Sequence, residues 1–265
     1  MNYRHIYHAG NFADIIKHLV LVSLIEQLKK KPKSFAVLDA FAGVGLYNIA
    51  SEAALKTGES DHGIKKLLAV ERLSRDMPEI LQLYLNTVKT YGSSYYPGSP
   101  LLAESLIRTN DRLIACELHP EDHKSLKELL PNTHNIDAYQ AIKAFIPFKE
   151  NRGLIFLDPP FEVTDEFSKI VDSLHIIKHR APNVCILIWY PIKDLMEIKN
   201  FYHNYQIIGF KESLIIEYEL LAPSLKNGLK KCALLVINPP NIKNEITKFT
   251  NYLARALGLR FNIHT

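Results

Sequence analysis

The chain has 265 residues, 47% of them hydrophobic and 23% charged, which suits one large globular domain and excludes long disorder. Its longest apolar stretches, 19–25 and 184–192, fall well short of the roughly 20 residues that span a bilayer. No apolar signal core follows Met1-Asn2-Tyr3-Arg4-His5, so a cytoplasmic protein is expected. The net charge of +4 is uneven: residues 1–33 carry six Lys/Arg against two acids and residues 222–265 seven against one, a distribution that suits a polyanion such as nucleic acid or, alternatively, plain solvated faces.

In chain order, Asn11 is placed to cap a helix in which Phe12, Ile15, Ile16, Leu19, Val20, Leu24 and Leu28 recur at helical spacing. Lys29-Lys30-Lys31-Pro32 stops it. Asn11, Asp14 and His18 share one stripe, expected opposite the apolar face. His5 and His8 precede the helix without a Glu-bearing histidine motif, so no metal site is expected. Residues 34–39 read as a short strand ending in Asp39. Ala40-Phe41-Ala42-Gly43-Val44-Gly45 follows, then a helical pattern. Such a turn lets backbone approach a nucleotide-like ligand. An ordinary tight turn is the alternative, because the loop lacks a Lys-Ser/Thr pair and Asn48 stands where a third glycine would complete the dinucleotide fingerprint.

Residues 50–92 read as mostly helical, followed by the turn-rich Tyr95-Tyr96-Pro97-Gly98-Ser99-Pro100 and another helix to Arg108. Strand-like runs lie at 113–117, 154–158, 184–190, 214–221 and 232–238, with helical patterns near 121–130 and 167–180. Strands that are apolar throughout and alternate with helices signal a parallel sheet covered on both faces. The last two, joined without a helix, are expected to pair antiparallel at the sheet edge. Cys116, Cys185 and Cys232 lie far apart in apolar runs, which points to buried free thiols.

The most specific chemical signal is Leu157-Asp158-Pro159-Pro160-Phe161, an apolar strand that ends in an acid, two prolines and an aromatic. Prolines hold the backbone extended. The Asp158 carboxylate and the Pro159 carbonyl are then placed to accept the two N–H groups of an exocyclic amine, with Phe161 stacking on the ring. Asn238-Pro239-Pro240 is similar, but Asn241 follows it, and it reads as structural. Glu117, at a strand end, suits the two hydroxyls of a ribose. Glu71 competes by its offset from the glycine loop but lies in a helical pattern. Asp137 is a further polar candidate, or a surface turn.

Together, Tyr3-Arg4-His5, His8-Ala9-Gly10-Asn11, Ala13-Asp14, Lys17-His18, Asp39 with Gly43-Val44-Gly45, Tyr95 to Pro100, Glu117-Leu118-His119-Pro120 and Asp158-Pro159-Pro160 closely resemble the RlmJ family of 23S rRNA adenine-N6 methyltransferases. The resemblance covers essentially the whole chain. It implies a Rossmann-like class I methyltransferase fold in a single domain over 1–265. The sheet would be mostly parallel and seven-stranded with an antiparallel edge strand, and a small helical subdomain would be inserted at 50–92. It also implies S-adenosylmethionine as methyl donor and 23S rRNA as partner. His18, Ser99, Glu117 and Asp137 would contact the donor, with Phe41 and Ala138 at two further donor positions and Lys17 close by. Asp158 would be catalytic, with Pro159 and Phe161 at the target base, and Tyr3 would touch the RNA. Three positions depart from the family pattern: Phe41 where His is frequent, Ala138 where Gly is usual, and Phe161 in place of Tyr. None removes a group the chemistry requires. A monomer is expected, since no association helix is evident.

The same tip chemistry would serve a DNA adenine-N6 methyltransferase, and a non-catalytic nucleic-acid-binding protein is the alternative outside enzymes. The missing third glycine argues against a nicotinamide oxidoreductase, and the missing Pro-Cys-x-x-Cys against a zinc deaminase.

Overall fold

The computed structural model describes residues 5–71, 76–221 and 229–264. A 3-10 turn at His5–Tyr7 leads into α1 (Phe12–Lys29), β1 (Ala36–Asp39) and β2 (Leu46–Asn48). The helices α2 (Glu52–Thr57), α3 (Glu59–His62), α4 (Ile64–Glu71) and α5 (Glu79–Lys89) come next, then β3 (Tyr95–Pro97) and α6 (Ser99–Leu106). Strands and helices then alternate through β4 (Arg112–Cys116), α7 (Pro120–Leu129), β5 (Thr133–His134), α8 (Ala138–Phe145), β6 (Gly153–Leu157), α9 (Glu166–Arg180), β7 (Cys185–Pro191) and α10 (Leu195–Ile208). The chain closes with β8 (Ser213–Leu220), β9 (Lys231–Ile237), α11 (Lys243–Leu253) and β10 (Leu259–His264).

One sheet of eight strands runs in the order β10-β8-β9-β7-β6-β1-β4-β5. The five strands from β7 to β5 are mutually parallel, whereas β9, β8 and β10 add on antiparallel. The expected antiparallel pair is β8 and β9, and the short connection between them leaves no room for the crossover a parallel pair needs. It does not form the edge. The eighth strand, β10, follows α11, lies outside β8 and buries Leu259. Its short alternation near the C-terminus is too weak a pattern to read as a strand.

Successive strand residues feed opposite cores. Val37, Leu154 and Phe156 face α1, α5, α6 and α11. Leu38, Ile155 and Leu157 face α8, α9 and α10. This two-sided burial is why the strands are apolar throughout. The three cysteines are buried and unbridged.

Two local expectations change. Every residue of α1 from Phe12 to Ile25 is buried, so Asn11, Asp14 and His18 form no solvent-facing stripe. The helix is wrapped by α5, α6 and the sheet, and its polar groups find partners inside. The helix expected directly after Gly45 is also displaced. The chain instead enters β2, which pairs with β3 from Leu46↔Pro97 to Asn48↔Tyr95, and Gly98 N–H donates to the Gly45 carbonyl at 2.7 Å. The chain leaves the sheet layer at Gly45, returns at Gly98, and only then forms the covering helix α6.

The excursion braces the N-terminal segment. Glu59 accepts from the Asn11 amide at 2.9 Å and lies 2.9 Å from His8 Nδ1. Ile64 N–H donates to the Gly10 carbonyl at 2.8 Å. At Gly63 a Cβ would sit 2.1 Å from that carbonyl oxygen, so only glycine allows the approach.

Candidate functional site

Strand ends converge at one edge of the sheet. β1 ends at Asp39, β4 runs into Glu117, β6 into Asp158 and β7 into Ile192 and Lys193, while the antiparallel β9 begins there at Lys231. The chain order reverses between β1 and β6, which makes this the crevice where open α/β sheets take ligands. A cavity of about 1030 Å³ opens there, large enough for a cofactor and a second planar group together.

One wall is the polar side of α1. Asp14, 1% exposed, accepts from Gly10 N–H at 2.8 Å and lies 3.0 Å from His5 Nε2. Burial alone would raise its pKa, but the charges of His5 and Lys17 and the His5 hydrogen bond outweigh it and hold the carboxyl well below its usual range. Lys17 bridges two carboxylates, Asp14 Oδ1 at 2.8 Å and Asp158 Oδ2 at 2.5 Å, with the Trp189 ring 5.6 Å away. A buried ammonium is tolerable only with such partners. His18, one position on, has Nδ1 2.7 Å from the Tyr96 hydroxyl, and burial pushes its pKa down to about 3, so the ring is neutral.

The glycine turn forms the second wall. Glu117 accepts from Gly43 N–H at 2.9 Å and from His119 N–H at 2.7 Å. Burial raises its pKa, and these backbone bonds oppose the rise. Gly43 has φ +62, which favours glycine, and a Cβ there would lie 2.2 Å from the Tyr47 hydroxyl, which would have to move. Behind the turn, Asp39 is 1% exposed and neither of its oxygens reaches a hydrogen-bond partner among the described residues. Burial raises its pKa to about 7; the charge of Asp158 adds to this, while the nearby Ser99 hydroxyl and Phe41 amide oppose it.

The third wall is the Asp158 corner. Phe161 adopts φ +50, a left-handed conformation that costs a bulky residue about 1–2 kcal/mol. Its ring packs against Phe167 at 4.9 Å and Trp189 at 6.0 Å. Such strain persists only where packing enforces it, and this aromatic cluster does so.

Of the residues expected from the sequence, Lys17, His18, Phe41, Ser99, Glu117 and Asp158 line the cavity, as do Pro159 and Phe161. Asp137 and Ala138 do not line it. They start α8, where Asp137 caps the helix by accepting from the Tyr139 and Gln140 amides. Tyr139 of the same helix meets the cavity-lining Phe41 ring edge-on at 5.8 Å. Tyr3 lies outside the described residues. Sequence reasoning missed the Lys17–Asp158 pair, whose partners are 141 positions apart. It also missed Tyr96 behind His18 and the rim formed by Lys193 and Lys230. Only Trp189 carried a signal, as the single tryptophan in a strand that ends at the cavity.

Residues 32–262 match the family described as ribosomal RNA large subunit methyltransferase D, RlmJ. The ribosomal RNA large subunit methyltransferase J of Haemophilus influenzae is 34% identical over 268 residues, covering 97% of this chain and 94% of that protein. The protein of the same name from Escherichia coli K12 is 37% identical over 249 residues, covering 91% of this chain and 88% of that protein. A crystal structure of a Legionella pneumophila protein superposes with a TM-score of 0.89 at 30% identity over 97% of this chain and 98% of that one. A probable spermidine synthase from Corynebacterium glutamicum reaches 0.51 at 11% identity over 99% of this chain and 77% of its own, a likeness of fold alone. With the family match spanning most of the chain and two relatives above 30% identity over nearly their full lengths, the chain belongs to the RlmJ family of large-subunit ribosomal RNA methyltransferases.

Proposed function

We propose that this chain methylates the N6 amino group of an adenine in 23S rRNA, using S-adenosylmethionine. The observation that carries the reading is the Asp158-Pro159-Pro160-Phe161 corner, held by Lys17 at the mouth of a cavity that Glu117, Ser99 and His18 also line.

The donor set fits that cofactor. Glu117, bound to the Gly43 turn, is an acceptor suited to ribose hydroxyls, and Ser99 and His18 offer polar contacts to an amino-acid end. When bound, S-adenosylmethionine supplies a methyl group already electrophilic on its sulfonium. What the chain must add is a competent nucleophile, because the N6 lone pair of adenine is delocalised into the ring. Hydrogen bonds from the amine to the Asp158 carboxylate and the Pro159 carbonyl localise and aim that pair. Such positioning supplies several kcal/mol of the barrier, and electrostatic complementarity adds to it. Transfer leaves one surplus proton on N6, and the Asp158 carboxylate, already bonded to that N–H, accepts it. Lys17 holds Asp158 in place and is itself anchored by Asp14.

The target base must leave its stack, at a cost of a few kcal/mol. Phe161 offers a face for it, and the exposed rim cations Lys193 and Lys230 suit the flanking phosphates. In this reading residues 1–265 form one methyltransferase domain with the inserted helices over 50–92, acting as a monomer in the cytoplasm. No described helix is long and apolar enough to cross a membrane. The test is methyl transfer to protein-free 23S rRNA and to duplex DNA, followed by nucleoside mass spectrometry. N6-methyladenosine in the rRNA is expected, and modification confined to DNA or to another atom would overturn the reading.

A further inference from the structure

His18 faces two environments. Its Nδ1 is 2.7 Å from the Tyr96 hydroxyl, which is 2.9 Å from the Tyr84 hydroxyl on α5 of the excursion. Both tyrosines are fully buried, and the Tyr96 ring lies stacked against the imidazole at 5.6 Å and 24°. No described residue bonds Nε2, and His18 lines the cavity. Nε2 is thus the nitrogen open to a ligand.

Proton counting orders the chain. Three groups share two hydrogen bonds; if both converged on the Tyr96 oxygen, the Tyr96 proton would be buried with no acceptor, so the bonds run one way or the other. If they run outward, Nδ1–H donates to Tyr96 and Tyr96 to Tyr84. The Tyr84 proton is then buried with no acceptor, because Tyr96 is the only hydrogen-bond partner of that hydroxyl among the described residues. If they run inward, Tyr84 donates to Tyr96 and Tyr96 to Nδ1, and every proton is used. The imidazole must then carry its own proton on Nε2. The ring is neutral, burial having pushed it down to about 3, so it has one proton to place.

We propose that Tyr96 is a positioning residue that fixes His18 as its Nε2–H tautomer, so that the cavity receives a hydrogen-bond donor matched to the carboxylate of the methyl donor's amino-acid end. The inference rests on the reading that the donor occupies this cavity. The opposite tautomer would turn a lone pair toward that carboxylate and repel it.

Nitrogen-15 NMR of the histidine-labelled free protein, with the His18 signals assigned by their loss in His18→Gln, reads the tautomer directly. An unprotonated Nδ1 and a protonated Nε2 are expected, and a protonated Nδ1 overturns the proposal. Calorimetry then compares S-adenosylhomocysteine with 5′-methylthioadenosine, which lacks the amino-acid end. Tyr96→Phe is expected to weaken the former about tenfold, the scale of one hydrogen bond to a charged group, and to leave the latter unchanged. Parallel losses, or none, overturn the proposal. Tyr84→Phe keeps Tyr96 donating to Nδ1 and should hold S-adenosylhomocysteine affinity within about twofold, again on the scale of a single hydrogen bond; a tenfold loss there would also count against it. Failure of the wild-type chain to bind either compound would instead refute the donor reading, whatever tautomer the free protein shows.

Discussion

Two strands of the same sheet end in Pro-Pro, and the two corners behave differently. At the end of β6, Asp158-Pro159-Pro160-Phe161 faces the cavity. At the end of β9, Asn238-Pro239-Pro240 faces the opposite edge, because β9 runs antiparallel to β7 and its last residue, Ile237, pairs with Ile186 near the start of that strand. Each corner holds one non-glycine residue at φ +50. At the far edge it is Asn238, a residue type that tolerates this conformation. Its side-chain amide donates to the carbonyls of Pro182 at 2.9 Å and Val184 at 2.8 Å. At the cavity it is Phe161, a strained choice held by Phe167 and Trp189. Strand direction decides which corner meets the crevice. The far corner satisfies its polar side chain locally, and the near one sets a carboxylate and a strained aromatic at the cavity.

Truncation separates the two corners most widely. Asp158→Ala should lower methyl transfer by about 10³-fold, within the range that a positioned acid–base group supplies. S-adenosylhomocysteine affinity by calorimetry should stay within about twofold, well under the tenfold that 1.4 kcal/mol would represent. Comparable loss of both would make the corner a folding element like its counterpart and end the contrast.

The unsatisfied carboxyl near the cavity gives the next largest effect. Asp39 is raised from 3.8 to about 7 by burial. A carboxyl raised in the folded state favours folding below its unfolded value, and that benefit is lost as pH climbs through the folded value. Between pH 5 and pH 8 the wild-type chain should therefore lose on the order of 3 kcal/mol through this group. Asp39→Asn removes the term, so its stability relative to wild type in urea should improve by that amount over the same interval. A difference independent of pH would show that Asp39 is not penalised in the folded chain.

The chemistry at the strand ends was legible because each end is marked locally: Asp158 by its prolines, Glu117 by its apolar run and Gly43 by its turn. Lys17 and His18 were legible only through resemblance, since the polar stripe read along α1 put His18 opposite the apolar face and nothing local marks Lys17. What buries them lies far along the chain, Asp158 for the one and Tyr96 for the other. Most of the sheet's parallel core was readable from its apolar strands, whereas β2, β3, the two-residue β5 and β10 were not. β2 is three residues long and is set by pairing with β3 across the excursion, and β10 by pairing with β8. Such long-range pairings leave little trace in a local pattern.

At the far corner, Asn238→Ala should cost about 2 kcal/mol, from two lost hydrogen bonds and the penalty of Ala at φ +50. It should leave methyl transfer by the folded fraction unchanged. A lower urea midpoint with full specific activity is the expected outcome. Reduced activity at full stability would mean that this corner also touches the reaction.

The smallest effect asks which edge the RNA approaches. Lys193 and Lys230 sit on the cavity rim, whereas Lys211 is exposed at the far edge, next to Glu212, whose carbonyl accepts the Asn238 N–H. Each lysine that neutralises a single-strand phosphate contributes about 0.7 to the slope of log affinity against log salt. Replacing both rim lysines with Gln should therefore flatten that slope by about 1.4 and weaken rRNA binding several-fold at physiological salt, with donor affinity intact. Lys211→Gln should change neither. Equal effects from the two edges would place the phosphates all around the sheet and remove the electrostatic half of the contrast. A flattened slope confined to the rim pair would put the RNA backbone on the side of Asp158 and not of Asn238.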